Sequence, residues 1–117
     1  MTINNHNGSI NITETVFANI VGHVANSCYG VVGMAAKSAT DGLVSLLKKD
    51  HYEKGVQIIP EEDGVVVEMH IVVLYGVNLP AVTRSIAKEV KYNVEQMTGF
   101  KVNKVNVHID GMKVMKD

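Results

Sequence analysis

The longest apolar run of the sequence, from Val65 to Pro80, most limits the folds open to this chain, because it ends in a turn and a helix start. Side chains alternate between the two faces of a strand. One set of alternate positions is apolar or aromatic throughout: Val65, Val67, Met69, Ile71, Val73 and Tyr75. The other set is mixed: Val66, Glu68, His70, Val72 and Leu74. We therefore predict a central strand that buries its first face in a core and leaves its second face partly covered.

Length, charge and cysteine content limit the class of protein. A chain of 117 residues buries roughly two thirds of its unfolded surface, which suffices for one independent core. The net charge of −1 supplies no overall field for binding nucleic acid or anionic lipid. Cys28 is the only cysteine, so an intrachain disulfide and a thiolate metal cluster are excluded. The first residues lack the basic segment and the apolar segment of a signal peptide. No apolar run reaches the ~18 residues of a membrane span. We expect a cytoplasmic protein.

Apolar spacing and capping residues predict three helices. Thr13 is a suitable N-cap for an amphipathic helix over residues 14–28. Pro80 suits the first turn of a second long helix, which Gly99 ends. A leucine-rich segment predicts a short helix over residues 43–49.

Strands are predicted at 9–12, 31–36, 56–59, 65–75 and 100–109. The third and fourth join in a hairpin in which Gly64 can take a positive φ. The apolar phase of the last strand changes at Asn103 and Lys104, which predicts a bulge. The fold class is α+β, a single mixed sheet with two long helices on one face, in the order β-α-β-(short α)-β-β-α-β. The strand at 31–36 should return beside the first strand. We expect a flexible N-terminus over 1–8, one domain over 9–112 and a C-terminal tail over 113–117.

Several local segments carry a family resemblance: Gly30-Val31-Val32-Gly33-Met34, Lys54-Gly55-Val56, the run from Glu62 to Val67, the run from Tyr75 to Pro80 and the run from Met97 to Ile109. Together, over about residues 8 to 112, they resemble the alkaline shock protein family, in particular its small YloU-like branch. The first helix departs from the family pattern, since Thr13 and Glu14 stand in place of a Ser-Pro start. Both are N-terminal caps, so the same fold is expected.

The resemblance implies a non-enzymatic adaptor or scaffold linked to cell-envelope stress and homeostasis, without cofactors. It also implies protein partners that bring such a protein close to the membrane without insertion. Genes of this branch tend to lie beside a dihydroxyacetone-kinase-like protein of fatty-acid phosphorylation, which suggests a partner.

The residues themselves give no catalytic or metal site. None of the five histidines has the short paired spacing of a zinc site, although His70 and His108 could approach each other if their strands are neighbours. Cys28 lies on an apolar helix face near the negative end of the helix dipole, which raises a thiol pKa. The acids from Glu61 to Asp63 are typical of a solvated turn.

Two surfaces remain as candidates for binding. Apolar side chains on the second sheet face and on the leucine-rich segment predict self-association or a protein partner: Val66, Val72, Leu74, Leu43, Leu46 and Leu47. An outer helix stripe, Arg84, Lys88 and Lys91, is either a solvated face or a patch for an anionic partner. Residues 30–33 also match the Gly-x-x-Gly motif, which KH domains carry in a loop between two helices. Together with the cationic stripe, this motif suggests an alternative function, a small nucleic-acid-binding module.

Overall fold

The computed structural model describes residues 2–5, 8–11, 13–37 and 42–114. Their helices are α1 (Glu14–Asn26) and α2 (Leu79–Thr98), with a 3₁₀ segment at Lys49–Gly55. Their strands are β1 (Thr2–Asn5), β2 (Gly8–Asn11), β3 (Val31–Lys37), β4 (Val44–Leu46), β5 (Val56–Glu61), β6 (Gly64–Leu74) and β7 (Val102–Lys113).

β6 is the central strand of a five-stranded sheet. β7 pairs with it in parallel along one edge, from Val65 to Leu74. The other edge is shared, because β5 pairs antiparallel with the first half of β6 and β3 pairs antiparallel with the second half. β4 adds to the far half of β3. The sheet is therefore mixed, and the predicted α+β class is confirmed.

The alternation along β6 explains where the core lies. Val65, Val67, Met69, Ile71 and Val73 are each at most 2% exposed. They form one cluster with Phe17 and Val21 of α1 and with Ile86 and Val90 of α2, so both helices cover the same sheet face. Tyr75 is 71% exposed, and its predicted burial is wrong, because β6 ends at Leu74 and the chain turns away from the core there.

The helix ends follow from local capping. Thr13 Oγ1 accepts a hydrogen bond from Val16 N–H at 3.2 Å, and Asn78 Oδ1 accepts one from Ala81 N–H at 3.0 Å. Gly99 ends α2 with φ 77°, a left-handed conformation that glycine adopts without strain. These caps agree with the predicted starts of both helices and with the predicted end of the second.

The predicted first strand does not join the main sheet. β2 pairs only with β1, in a separate two-stranded antiparallel sheet. Its predicted place beside β3 is wrong, because a local hairpin closes at less entropic cost than a pairing beyond a whole helix. The segment 1–8, expected to be a flexible N-terminus, thus includes β1. The last residue of the predicted strand, residue 12, lies outside the described residues. In the expected tail over 113–117, Lys113 is the last residue of β7, and residues 115–117 lie outside the description.

The predicted short helix over residues 43–49 is also wrong. Val44–Leu46 is a strand paired with Ala35–Lys37, and Leu47 N–H donates to Met34 O at 2.8 Å. A helix of two turns has too few internal hydrogen bonds to offset its nucleation cost. The same residues gain a ladder of hydrogen bonds by pairing with β3.

β7 contains the predicted bulge and a second one. Val65 pairs with Val102 and Val66 with Lys104, which leaves Asn103 as the extra residue. Ile71 pairs with Ile109 and Val72 with Gly111, so Asp110 is also extra. Two bulges in one strand turn Asn103 and Asp110 out of the regular ladder.

Gly64 is required for space. It does not adopt the positive φ that a hairpin turn allows it, since the glycines with positive φ among the described residues are Gly30, Gly42, Gly76 and Gly99. A Cβ at Gly64 would lie 2.5 Å from Lys101 O, which accepts a hydrogen bond from Val65 N–H. The glycine therefore lets the β5–β6 turn approach the start of β7.

Gly64→Ala is expected to lower the free energy of unfolding by about 1–3 kcal/mol, because the new methyl group collides with backbone. Gly111→Ala is the matched control, since a Cβ there meets only Val72 Cγ2 at 3.8 Å, and the change should stay within about 0.5 kcal/mol. Urea denaturation followed by circular dichroism measures both. Equal losses for the two variants would contradict the steric role of Gly64.

Candidate interaction surface

The face of the sheet opposite the two helices, called the open face below, is polar in its middle and apolar towards its ends. Along β6 it carries, in order, Val66, Glu68, His70, Val72 and Leu74. Val72 is only 7% exposed, and most of the others are partly exposed. The neighbouring strands add their own residues on the same side, according to the register of each pair.

The polar middle is built from two histidines of neighbouring strands. His70 pairs in register with His108, and their rings stack with centroids 4.7 Å apart and planes 17° apart. His70 Nδ1 lies 3.1 Å from Asp110 Oδ1, and His108 Nε2 lies 3.4 Å from Glu68 Oε2. The approach expected if the two strands are neighbours is therefore confirmed, and each ring has its own carboxylate partner.

The second bulge of β7 brings Asp110 to His70. Asp110 is the extra residue there, and its side chain is 14% exposed. The contact between Asp110 and His70 is not predicted from the sequence, because no local pattern signals the second bulge. Among the described residues, no group of three or more His, Cys, Asp or Glu side chains is arranged to hold a metal ion. The arrangement can donate and accept hydrogen bonds at the surface.

The apolar end of the open face lies over β3 and β4. Gly33 pairs with Val72, and a Cβ at Gly33 would lie 3.2 Å from Leu46 Cδ2. Leu46 therefore occupies the space that a side chain at Gly33 would fill, next to Val72. Leu43 is 66% exposed and Leu46 is 46% exposed.

The predicted apolar residues therefore separate into different places. Leu46 and Leu74 belong to the open face near Val72, and Val66 lies at the other end, paired with the exposed Ile59. Leu47 packs against the core and leaves the candidate surface. Val44, on the same side of β4 as Leu46, is an exposed addition that sequence reasoning missed, since the segment was taken for a helix.

The predicted cationic stripe runs beside β7, and one of its residues is already bound. Lys91 Nζ donates to Val102 O at 2.8 Å and lies 3.8 Å from Glu95 Oε2. Arg84 lines a groove between α2 and β7, and Lys88 is exposed. The stripe available to a partner is therefore Arg84 and Lys88.

The Gly-x-x-Gly of residues 30–33 does not form a phosphate-binding loop. Gly30 has φ 86° in the turn after α1, and Val31 to Gly33 lie in β3. As expected from the sequence, it joins a helix to a strand, whereas a KH domain places it between two helices.

Cys28 and the acidic turn are structural. Burial, with a smaller contribution from Glu89, raises the pKa of the Cys28 thiol, and its Sγ donates to Val24 O at 3.4 Å. Hydrogen bonds from Asn103 and Lys101, together with the Lys101 charge, lower the pKa of Asp63. The exposed turn is thus tied to the first bulge of β7.

No described helix has the length and apolarity needed to cross a membrane. A model of the alkaline shock protein 23 family, with the description "cell envelope-related function", matches residues 2–114. The chain is 38% identical over 108 residues to "Uncharacterized protein YloU" of Bacillus subtilis (strain 168), covering 92% of this chain and 90% of that protein. It is 40% identical over 114 residues to "Uncharacterized protein Spy1614" of Streptococcus pyogenes serotype M6, covering 97% and 94%. No solved structure matches the chain.

Cys28 is expected to react slowly with a disulfide reagent at neutral pH, because a raised thiol pKa leaves little reactive thiolate. The rate should rise when urea unfolds the chain. The control is Cys28→Ala combined with Ser85→Cys, which places a thiol on the exposed side of α2. A faster reaction of Cys28 than of the thiol at position 85 would contradict this assignment.

Acid should weaken the fold partly through Asp63. Its folded pKa lies below its ordinary value of 3.8, so its stabilising contribution is complete above that value and is lost as the pH falls through the folded pKa. Thermal unfolding of Asp63→Asn should therefore show a smaller fall in Tm on acidification than the parent chain. Glu62→Gln, in the same exposed turn, is the control. An unchanged acid dependence in Asp63→Asn would refute this contribution.

Proposed function

The chain belongs to the alkaline shock protein 23 family, which its sequence resembles, and on that premise we propose that it is a non-enzymatic adaptor or scaffold of cell-envelope stress and homeostasis. It acts through protein–protein contacts at the open face. Its partners are envelope-associated proteins, which hold it near the membrane from the cytoplasmic side. A fatty-acid-kinase-like protein and further copies of the chain are other protein partners for the same face.

The observation that supports this proposal most is the composition of the open face. The two helices cover the opposite face, while on the open face Leu46 is 46% exposed and Leu74 is partly exposed. Each fully buried aliphatic side chain contributes about 1.5–3 kcal/mol to association, before the entropic cost of binding. Binding of a partner over the apolar end of the open face is therefore stabilised by side chains that lie outside the core.

The polar middle of the open face is also compatible with burial under a partner. His70 has Asp110 as its partner, and His108 has Glu68. Burying a polar group is costly mainly when it loses hydrogen bonds to water without replacement. Because these four side chains already bind one another, a partner can cover them at a reduced desolvation cost.

The same geometry favours a contact role over catalysis. The His70–Asp110 pair lies on a sheet face, and Glu68 and His108 line an open groove, whereas active sites usually enclose most of the bound molecule. The thiol of Cys28 is on the helix side of the sheet, with a raised pKa. These side chains have structural partners, and the family description names the cell envelope and no reaction.

Site-specific photo-crosslinking in the native cell tests the proposal. A photoreactive amino acid replaces Leu46 in one strain and Tyr92 in another; Tyr92 is 64% exposed on α2. Leu46 is expected to yield a small, reproducible set of envelope-associated proteins, which Leu74→Lys in the same chain should greatly reduce. Tyr92 should not yield that set. Identical products from both positions, or none from Leu46, would contradict a contact role for the open face.

A further inference from the structure

The outer edge of β7 is an uncovered strand edge. One edge of β7 pairs with β6 over its length, and no strand among the described residues pairs with the other. Such an edge presents unpaired backbone N–H and C=O groups, to which another chain can add as a strand.

The regular part of this edge is limited at both ends. At the start, Glu95 Oε2 accepts from Val102 N–H at 2.8 Å, and Lys91 Nζ donates to Val102 O at 2.8 Å. Asn103 and Asp110 are bulge residues, which interrupt regular pairing. The regular part of the edge therefore runs from Lys104 to Ile109 and is about 20 Å long at ~3.3 Å per residue.

The register shows which backbone groups point outward. Val65 N–H donates to Lys101 O, so the odd-numbered residues of β6 turn their amide groups towards β7. In a parallel ladder, the residue opposite such a position turns its own groups away. The partners of Val67, Met69 and Ile71 are Val105, Val107 and Ile109. The amide groups of these three residues therefore face outward.

The surroundings of this edge are cationic. Arg84 lines a groove between α2 and β7, and Lys88 lies one helical turn along α2. The other residues of this groove are Thr83 and Ala87 of α2, Val105, Asn106, Val107 and His108 of β7, and Glu68 of β6. Neither Arg84 nor Lys88 forms an ion pair with a described residue.

The acids nearest to the edge are already engaged. Glu95 binds Val102 and Lys91, Glu68 binds His108, and Asp110 binds His70. Arg84 and Lys88 are thus left without a carboxylate partner among the described residues, beside a groove whose apolar lining is Ala87, Val105 and Val107.

We propose that the outer edge of β7, from Lys104 to Ile109, binds an extended acidic segment of a partner protein by strand addition. The segment pairs with the outward amide groups of Val105, Val107 and Ile109. Its side chains on the α2 side enter the groove, where carboxylates meet Arg84 and Lys88. This inference rests on the proposed contact role and adds a second surface to it.

A second copy of this chain fits the edge less well. Antiparallel pairing about Val107 would set Lys104 against Asp110 of the copy, whose carboxylate is already bound to His70. The bulges at Asn103 and Asp110 would also interrupt such a pairing in both copies. Nucleic acid also fits less well, because a phosphate backbone accepts hydrogen bonds but has no donors for the outward carbonyl groups.

The probe is a fluorescent octapeptide of alternating valine and glutamate, titrated into the full chain and followed by fluorescence anisotropy and by NMR. Binding should slow hydrogen exchange at the amides of Val105, Val107 and Ile109. Arg84→Glu with Lys88→Glu should weaken it by about tenfold, since each exposed ion pair is worth up to ~1 kcal/mol. Lys48→Glu with Lys49→Glu makes the same charge change at residues far along the chain and should leave binding unchanged.

Two further probes separate strand addition from charge alone. The same peptide with alternate backbone nitrogens methylated keeps its carboxylates but cannot form the ladder, and it should bind at least about tenfold more weakly, which corresponds to one or two lost hydrogen bonds. A peptide of alternating valine and lysine should bind the Arg84→Glu, Lys88→Glu variant and not the parent chain.

Several results would overturn the inference. Equal binding of the methylated and unmethylated peptides would show that only electrostatic attraction holds the peptide. Tighter binding of an oligothymidylate than of the acidic peptide, without protection of the three amides, would assign the surface to nucleic acid. Protection of the three amides in the free chain, together with a dimeric mass, would assign the edge to a second copy. Photo-crosslinking from Leu46 is independent of all these results, so the contact role and the strand addition can fail separately.

Discussion

The fold depends on the burial of alternate side chains of β6 beneath two helices. Val67, Met69, Ile71 and Val73 are fully buried on that face, and their neighbours in the core come from both helices. A strand shifted by one residue would turn Glu68 and His70 into the core, which would cost free energy because their hydrogen bonds to water are lost. The alternation therefore fixes the position of β6, and β6 in turn positions β3, β5 and β7, which pair with it.

The same constraint creates the surface that we connect with function. Because period-two alternation sends every second residue to the open face, the strand that supplies the core also presents His70 to solvent beside His108. The bulges of β7 then modify this face and the adjoining edge. The bulge at Asp110 supplies a carboxylate for His70, and the bulge at Asn103 ties β7 to the acidic turn. Core, surface and edge thus come from one pair of parallel strands.

Local patterns predict the core face of β6, the helix caps and the bulge at Asn103, because each depends on residues close in sequence. They do not predict the second bulge at Asp110, the strand at Val44–Leu46 or the binding of Lys91 to Val102. Each of these is decided by a partner distant in sequence. The leucines of the β4 region show this most clearly, since a helical spacing is overruled by the hydrogen bonds that β3 offers. For the candidate surface, the sequence indicates the residue types, and only the strand register shows which of them adjoin.

We propose that the open face is bare in the purified chain and covered by a partner in the cell. Carbene footprinting of the purified chain and of the chain inside its native cell measures this directly. Leu46 and Leu74 should be labelled in the purified chain and protected in the cell. Tyr92 and Met97, which are 64% and 65% exposed, should be labelled equally in both. Equal labelling of Leu46 and Leu74 in the two settings would contradict it.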